Sequence, residues 1–381
     1  MKKIKVLTSI KIAQTAGIAQ VVFSFLDFIE NGKKNNINIV AVNIDDSDKN
    51  SYKKVSGKKT SVISISTKIP NIAKIVNKSK NLDEVRNEYE PIIDLYQKAI
   101  KDEKPDLVLV NGTYFMPWCL LIAAEREKIP TVVHYHGILT KEVQNWGEAQ
   151  RKLFLEMERC FDSKKIFYIF PSKITKDIVE KEIFGREIKK CAILPNPVSG
   201  YFFDGKTRKE NNNIGIVSRW SGVKNMNFCK KLAEYNHKKG SKFIFNVITD
   251  LNVEHKEYKK LSKFVKFHKP KSNKKLASFY RDMGVVISPS HFETYGNVAK
   301  EALASGTPAM VNPNMGVAET FDNLGLSDWI IDFDSVKSVY KKIEKVMGEE
   351  VHEDVKDKMK QLYMPQTIFS QMVSILSNVV L

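Results

Sequence analysis

Short, nearly unbroken apolar runs recur along the 381 residues, separated by longer stretches in which apolar positions return every three or four residues. The first pattern predicts buried strands and the second amphipathic helices. In the first half the strand candidates are KIKVLTS, INIVAVNI, TSVISIS, PDLVLVNG, TVVHYHG, IFYIFPS and CAILPN, with Ile4 to Thr8 forming the first. Helical patterns such as AQVVFSFLDFIENG and VRNEYEPIIDLYQKAIKD lie between several of them. The alternation starts again after residue 212: NIGIVSR, the helical NFCKKLAEYNHKKG, KFIFNVIT, FVKFH, the helical KKLASFYRDMG, VVISPS, a helix opening near Gly296, and TPAMVN. Strands alternating with helices imply parallel sheets covered by helices, the α/β class.

The two series are separated by LPNPVSGYFFDGKTRKENNN, residues 194–213, rich in Pro, Gly, Asn and charge. Such a stretch reads as a linker between domains. The expected organisation is therefore two Rossmann-like, doubly wound domains, residues 1–200 and 201–364, facing a central cleft. The segment PQTIFSQMVSILSNVVL, residues 365–381, has apolar residues at helical spacing and reads as a closing helix. Ligands of such sheets bind outside the carboxyl ends of the strands.

Composition narrows the class. The longest oily stretch, YFMPWCLLIAA, ends in EREK, well short of the roughly 18 residues of a membrane span, and reads as the start of a buried helix. Lys5 and Lys11 interrupt the apolar region that a signal peptide needs, so a cytoplasmic chain is expected. Cys119, Cys160, Cys191 and Cys229 are scattered, with no CxxC pair, which argues against a zinc site and a disulfide framework. The formal net charge of +17 is the one extreme value. It suits nucleic acid, an anionic membrane surface or a phosphorylated small molecule, and it also suits plain lysine-rich composition. No GxGxxG follows the first strand and no GxxxxGK[ST] occurs, which weakens dinucleotide oxidoreductase and P-loop readings. No helix-turn-helix, zinc-finger or RNP signature is present, so no nucleic-acid partner is expected.

The chemistry concentrates in ISPSHFETYGNVAKEALASGTPAMV, where Glu293 and Glu301 stand with seven residues between them. Glu293 falls in the loop after the strand VVISPS, and Glu301 on the helix opened by Gly296 and Asn297. At about 1.5 Å rise per residue the carboxylates are too far apart to share a proton. They can instead hold two ends of one long ligand. Between them lies a helix N-terminus, whose free N–H groups and dipole suit phosphate, and Gly296 allows close backbone approach. In IVSRWSGVKN, Arg219 and Lys224 follow the first strand of the second domain. A guanidinium and an ammonium there suit a diphosphate. Carboxylates for sugar hydroxyls, with cations and a helix terminus between them, describe a nucleotide-sugar site.

These segments, together with VVHYHG, the AGIAQ loop and LPNPVS, resemble the retaining GT-B glycosyltransferases of family 4, which carry an E-x7-E motif, a G-R…K segment and an N-terminal glycine loop. The resemblance spans nearly the whole chain and is densest over residues 213–320. It implies that Glu301 binds the nucleotide ribose and that Glu293 contacts the donor sugar near the reacting face. Arg219 and Lys224 would stabilise the departing nucleotide diphosphate. Gly296, Asn297 and Val298, with Tyr295, would contact donor sugar and phosphate, and Gly17 the diphosphate. His136 matches the family histidine near donor and acceptor. His134, two residues earlier on a strand, points the same way, and the choice between them stays open. Gly316 and Glu319 in NPNMGVAE form a further loop of the site. Trp220 packs against a wall or stacks on the ligand. The chain departs from the family at Ala16, where a second glycine is usual, and at His268 and Lys269, where a glycine is common.

The resemblance further implies an enzyme that needs neither metal nor cofactor. It would move a hexose or N-acetylhexosamine from UDP or GDP to a glycan or lipid-linked acceptor in envelope polysaccharide synthesis. The net charge would hold it at the inner face of an anionic membrane. Two alternatives remain at this point. One is other GT-B chemistry, a phosphorylase or sugar-nucleotide epimerase. The other is a non-catalytic basic protein binding membrane or nucleic acid.

Overall fold

The computed structural model describes residues 3–12, 18–32, 35–144, 146–205, 211–269 and 271–380. It divides into two compact units, one of Met1–Pro195 with Ile368–Leu381, the other of Asn196–Thr367.

The first unit is built on an eight-stranded sheet. Its strands are β1 (Ile4–Ile10), β2 (Ile37–Asp46), β3 (Ser51–Ser56), β4 (Thr60–Thr67), β5 (Leu107–Asn111), β6 (Thr131–His134), β7 (Phe167–Phe170) and β8 (Cys191–Ile193). Their order is β3-β4-β2-β1-β5-β6-β7-β8. All pairings are parallel except β3 with β4. The helices are α1 (Ile18–Asn31), α2 (Ile72–Lys78), α3 (Leu82–Glu103), α4 (Phe115–Arg126), α5 (Leu139–Glu142), α6 (Glu148–Arg159) and α7 (Lys173–Ile178). Val and Leu dominate β5, and Val the centre of β6, and both strands bury on both faces, as a parallel strand under helices requires.

β3 was not anticipated, and the reason is physical. Its six residues, SYKKVS, are all exposed. Lysines on a solvated edge strand leave no apolar face to read. α3 runs through Pro91. It opens on Asn81, whose side chain accepts from Glu84 N–H at 3.0 Å, while the Glu84 carboxylate accepts from Lys80 N–H at 2.9 Å.

The second unit has a five-stranded parallel sheet, in order β11-β10-β9-β12-β13. Its strands are β9 (Asn213–Val217), β10 (Ile244–Ile248), β11 (Val265–His268), β12 (Val285–Ser288) and β13 (Ala309–Val311). Its helices are α8 (Met226–Lys238), α9 (Lys256–Leu261), α10 (Asn273–Arg281), α11 (Asn297–Ala304), α12 (Ala318–Asn323), α13 (Val336–Val346) and α14 (Glu353–Tyr363). The final helix, α15 (Pro365–Val380), brings Phe369 against Phe25 and Phe28 of α1, with ring centroids 5.3 and 5.7 Å apart.

Both sheets reverse direction once: between β1 and β5 in the first unit, and between β9 and β12 in the second. Open α/β sheets bind ligands at such switch points. Among the described residues no helix is long and apolar enough to cross a membrane, and all four cysteines are free thiols.

Candidate active site

The switch point of the second unit gathers most of the predicted residues. After β9 the chain turns. Ser218 N–H donates to Ile248 C=O at 3.0 Å and Trp220 N–H to the Asp250 carboxylate at 2.7 Å, tying the turn to the end of β10. Arg219 is exposed and Lys224 half-buried. Asn225 closes the loop in the left-handed region, φ 52°, and α8 follows.

The loop after β12 meets it. His291 N–H donates to Val223 C=O at 2.9 Å. Lys224 Nζ lies 3.0 Å from Glu293 Oε1, and Ser290 Oγ donates to the same oxygen at 2.7 Å. The Glu293 carboxylate is thereby held in one orientation while its second oxygen keeps its acceptor capacity. Glu293 C=O accepts from Gly316 N–H at 3.0 Å and Tyr295 C=O from Val317 N–H at 2.6 Å. Residues 293–295 and 315–317 thus run side by side, placing Gly316 at the same loop cluster, with Glu319 in the first turn of α12.

Gly296 sits at φ 110° just before α11. A Cβ there would lie 2.7 Å from Met315 Cε and 2.9 Å from Val317 Cγ1, so conformation and space both demand glycine. Asn297 and Val298 form the first turn of α11, and the Asn297 Oδ1 accepts from Asn196 Nδ2 at 3.1 Å. The helix ends in ASGTP: Gly306, φ 80°, donates to Leu303 C=O and Thr307 N–H to Ala302 C=O, both at 3.0 Å, which is glycine C-capping.

Glu301 stands on the second turn of α11, half-buried, accepting from the Tyr280 hydroxyl at 3.2 Å. Burial pushes its carboxyl up to about 7, against the pull of Tyr280 and Lys300. Its neighbour Lys300 was not singled out from the sequence, yet it is fully buried. Its ammonium donates to Asn196 C=O and lies 4.1 Å from the Tyr295 ring centroid and 5.1 Å from that of Tyr363. Burial drives its pKa well below 10.5, opposed by Glu301. The signal was a lone lysine among the small apolar residues of NVAKEALA.

Tyr295 immediately precedes Gly296. Its ring is buried against Lys300 and its hydroxyl pairs with Thr320 Oγ1 at 2.8 Å. Its side chain packs against Lys300, and its C=O accepts from Val317 N–H.

The histidines belong to the first unit. His134 ends β6 and His136 follows two residues later, with ring centroids 4.0 Å apart, so the same-side expectation holds. Burial lowers both pKa values, His136 to about 4 and His134 well below its ordinary value, the latter helped by His136. His136 Nε2 lies 3.3 Å from Asn111 Oδ1, whereas the buried His134 Nε2 has no partner. Glu158, fully buried, accepts from the N–H groups of Leu139 at 2.9 Å and Thr140 at 3.1 Å, and fixes the start of α5 just beyond the histidines. Gly17 lies outside the described residues.

Two Rossmann-like sheets, with cations, a carboxylate pair and a glycine-opened helix at one switch point, define a GT-B glycosyltransferase. Comparison with known proteins agrees. Residues 200–362 match the model described as glycosyl transferases group 1, and residues 80–199 the model described as glycosyltransferase family 4. The chain belongs to the family 4 glycosyltransferases.

A capsular polysaccharide biosynthesis glycosyltransferase, CapM of Staphylococcus aureus, is 36% identical over 73 residues, 19% of each chain. A 41.2 kDa protein of the cps region of Klebsiella pneumoniae is 27% identical over 137 residues, 36% of this chain and 37% of that one. These matches span well under half the length of either relative. Among solved structures, sucrose-phosphate synthase from Thermosynechococcus elongatus superposes with a TM-score of 0.74 at 13% identity, covering 98% of this chain and 99% of that one. A trehalose-6-phosphate protein from E. coli bound with UDP-2-fluoro glucose gives 0.69 at 12% identity, over 99% and 98%.

Proposed function

We propose that this chain is a retaining, metal-independent hexosyltransferase. It transfers a hexose or N-acetylhexosamine from a UDP or GDP sugar to a glycan or lipid-linked acceptor in envelope polysaccharide synthesis. The observation that carries the reading is the meeting of Lys224, Glu293 and the Gly296-opened helix at the β9/β12 switch point, with Glu301 on the second turn of that helix. The capsular relative, by its name, supports the biosynthetic setting.

In this reading Glu301 accepts hydrogen bonds from the ribose hydroxyls, for which its carboxylate form is required. Glu293, already oriented by Ser290 and Lys224, accepts from hydroxyls of the donor sugar. Lys224 has three donor hydrogens, so it can keep Glu293 and still donate to the diphosphate. Arg219, exposed and without a side-chain partner among the described residues, supplies the second cation. As the bond from the anomeric carbon to the diphosphate oxygen breaks, both cations meet charge that grows in the transition state. The acceptor oxygen attacks the same face and the departing phosphate takes its proton, so the anomeric configuration is kept. The net charge of +17 supports attachment at an anionic leaflet.

Thermal shift with UDP, GDP, ADP and their sugars tests the donor site. One diphosphate is expected to stabilise the wild type and not Glu301→Ala. No shift with any nucleotide would sink the assignment. Proton NMR of the product, with EDTA in the reaction, then reads retention and metal independence together. An inverted anomer, or activity abolished by EDTA, would refute the respective part. Flotation with vesicles lacking or containing anionic lipid checks the membrane part, which equal binding to both would contradict.

A further inference from the structure

At the β1/β5 switch point of the first unit, hydrogen bonds run from buried backbone to His136. Thr8 Oγ1 donates to Leu109 C=O at 2.7 Å. Asn111 Nδ2 donates to Thr8 Oγ1 at 2.8 Å. His136 Nε2 and Asn111 Oδ1 are 3.3 Å apart. Thr8 is 1% and Asn111 7% exposed, so water competes little for these groups.

A proton count fixes every direction in this chain without any hydrogen being observed. A carbonyl can only accept, so the single hydroxyl proton of Thr8 is committed to Leu109. Towards Asn111 the hydroxyl can then only accept, so the amide NH2 must face it. The amide oxygen is left facing His136 and can itself only accept. The proton between them therefore sits on Nε2.

We infer that Thr8 and Asn111 are positioning residues that lock His136 in the Nε2–H tautomer, so that any hydrogen bond made by its Nδ1 is made as acceptor. A ligand group meeting Nδ1 must bring its own hydrogen. A sugar hydroxyl or acetamido N–H satisfies this, and a carboxylate or phosphate oxygen does not. Applied to the donor, this favours neutral hexosyl and N-acetylhexosaminyl groups over uronic acids at the contact. That application rests on the proposed function, whereas the tautomer does not.

The test is 15N NMR of the full chain labelled at histidine, with His136→Gln and His134→Gln assigning the rings. The wild type should show His136 protonated at Nε2, with a ring proton slow to exchange with solvent. Asn111→Ala should lose that protected proton. Asn111→Asp, which keeps an acceptor oxygen, should retain it. A proton on Nδ1 in the wild type overturns the inference even if the alanine variant fails to fold, and so does an unchanged ring signal in Asn111→Ala. Kinetics add a second arm. In Asn111→Ala the donor KM should rise about fivefold to tenfold with kcat nearly unchanged, the scale of one hydrogen bond. A lost ring proton with unchanged KM would overturn the donor contact alone. Failure of the proposed function would look different: no turnover of any nucleotide sugar by the wild type.

Discussion

The two switch points share a strand-order device and differ in chemistry. At β9/β12 the side chains are ionisable: Lys224 pairs with Glu293, while Glu301, next to the buried Lys300, accepts from the Tyr280 hydroxyl. At β1/β5 they are neutral and held by hydrogen bonds: Thr8, Asn111 and a His136 whose burial keeps it uncharged above about pH 4. In the proposed function, charge stands where a diphosphate departs and its own charge must be met, and neutral donors and acceptors stand where sugar hydroxyls are met. The contrast teaches that one architectural position, repeated in one chain, is specialised by how many protons its side chains can lose.

The largest break in that contrast comes from the cations. Lys224→Ala should lower kcat by about 10²–10³-fold, the scale for removing one stabiliser of transition-state charge, with little loss of fold stability because the lysine is partly solvated. Single-turnover rates check it, and a drop under about threefold would remove Lys224 from the chemistry.

Beneath the charged site, Lys300→Ala should destabilise by about 2–4 kcal/mol through the cavity it leaves. Lys300→Met, which nearly conserves volume, should cost under about 1.5 kcal/mol. The pH dependence sharpens this. The folded pKa of Lys300 lies below 10.5, so the burial cost is full at low pH and is relieved as pH rises towards 10.5. Denaturant titrations should show that rise in the wild type and its loss in Lys300→Met.

Glu301 behaves oppositely. Its folded value of about 7 lies above the ordinary 4.5. The stabilising protonated form is complete below about 4.5 and lost as pH rises through 7. Glu301→Gln should therefore gain about 1–3 kcal/mol at pH 8, a range reduced for its partial exposure, while losing nucleotide affinity. A variant that is both more stable and inactive is the signature of a carboxylate kept for function.

The smallest expected effect lies on the neutral side. With His136 uncharged above about pH 4, activity between pH 5 and 8 should show no limb from His136. The acid limb of donor KM should instead follow Glu301. A limb near pH 6.5 abolished by His136→Gln and untouched by Glu301→Gln would reverse the comparison.

The sequence disclosed the charged region more fully than the neutral one. The E-x7-E spacing, the Gly296 turn and the ASGTP cap leave local marks, and the strands β12 and β13 are fully buried runs. In the first unit, His136 announced itself, but Asn111 only closes the run LVLVN, and Thr8 is one polar position in an otherwise buried strand. Their connection is made by sheet pairing across about a hundred residues, which no local pattern records. β3 escaped because a solvated lysine strand has no apolar face. Lys300 escaped because helical periodicity tells which face is buried, not that an ammonium can be buried on it between two aromatic rings.

The most direct test of the account is calorimetric titration of the preferred nucleoside diphosphate into wild type and Glu301→Ala at pH 6 and pH 8. The account predicts tighter binding at pH 8 in the wild type and weak, pH-independent binding in the variant. Equal affinity of the two proteins at pH 8 would contradict it.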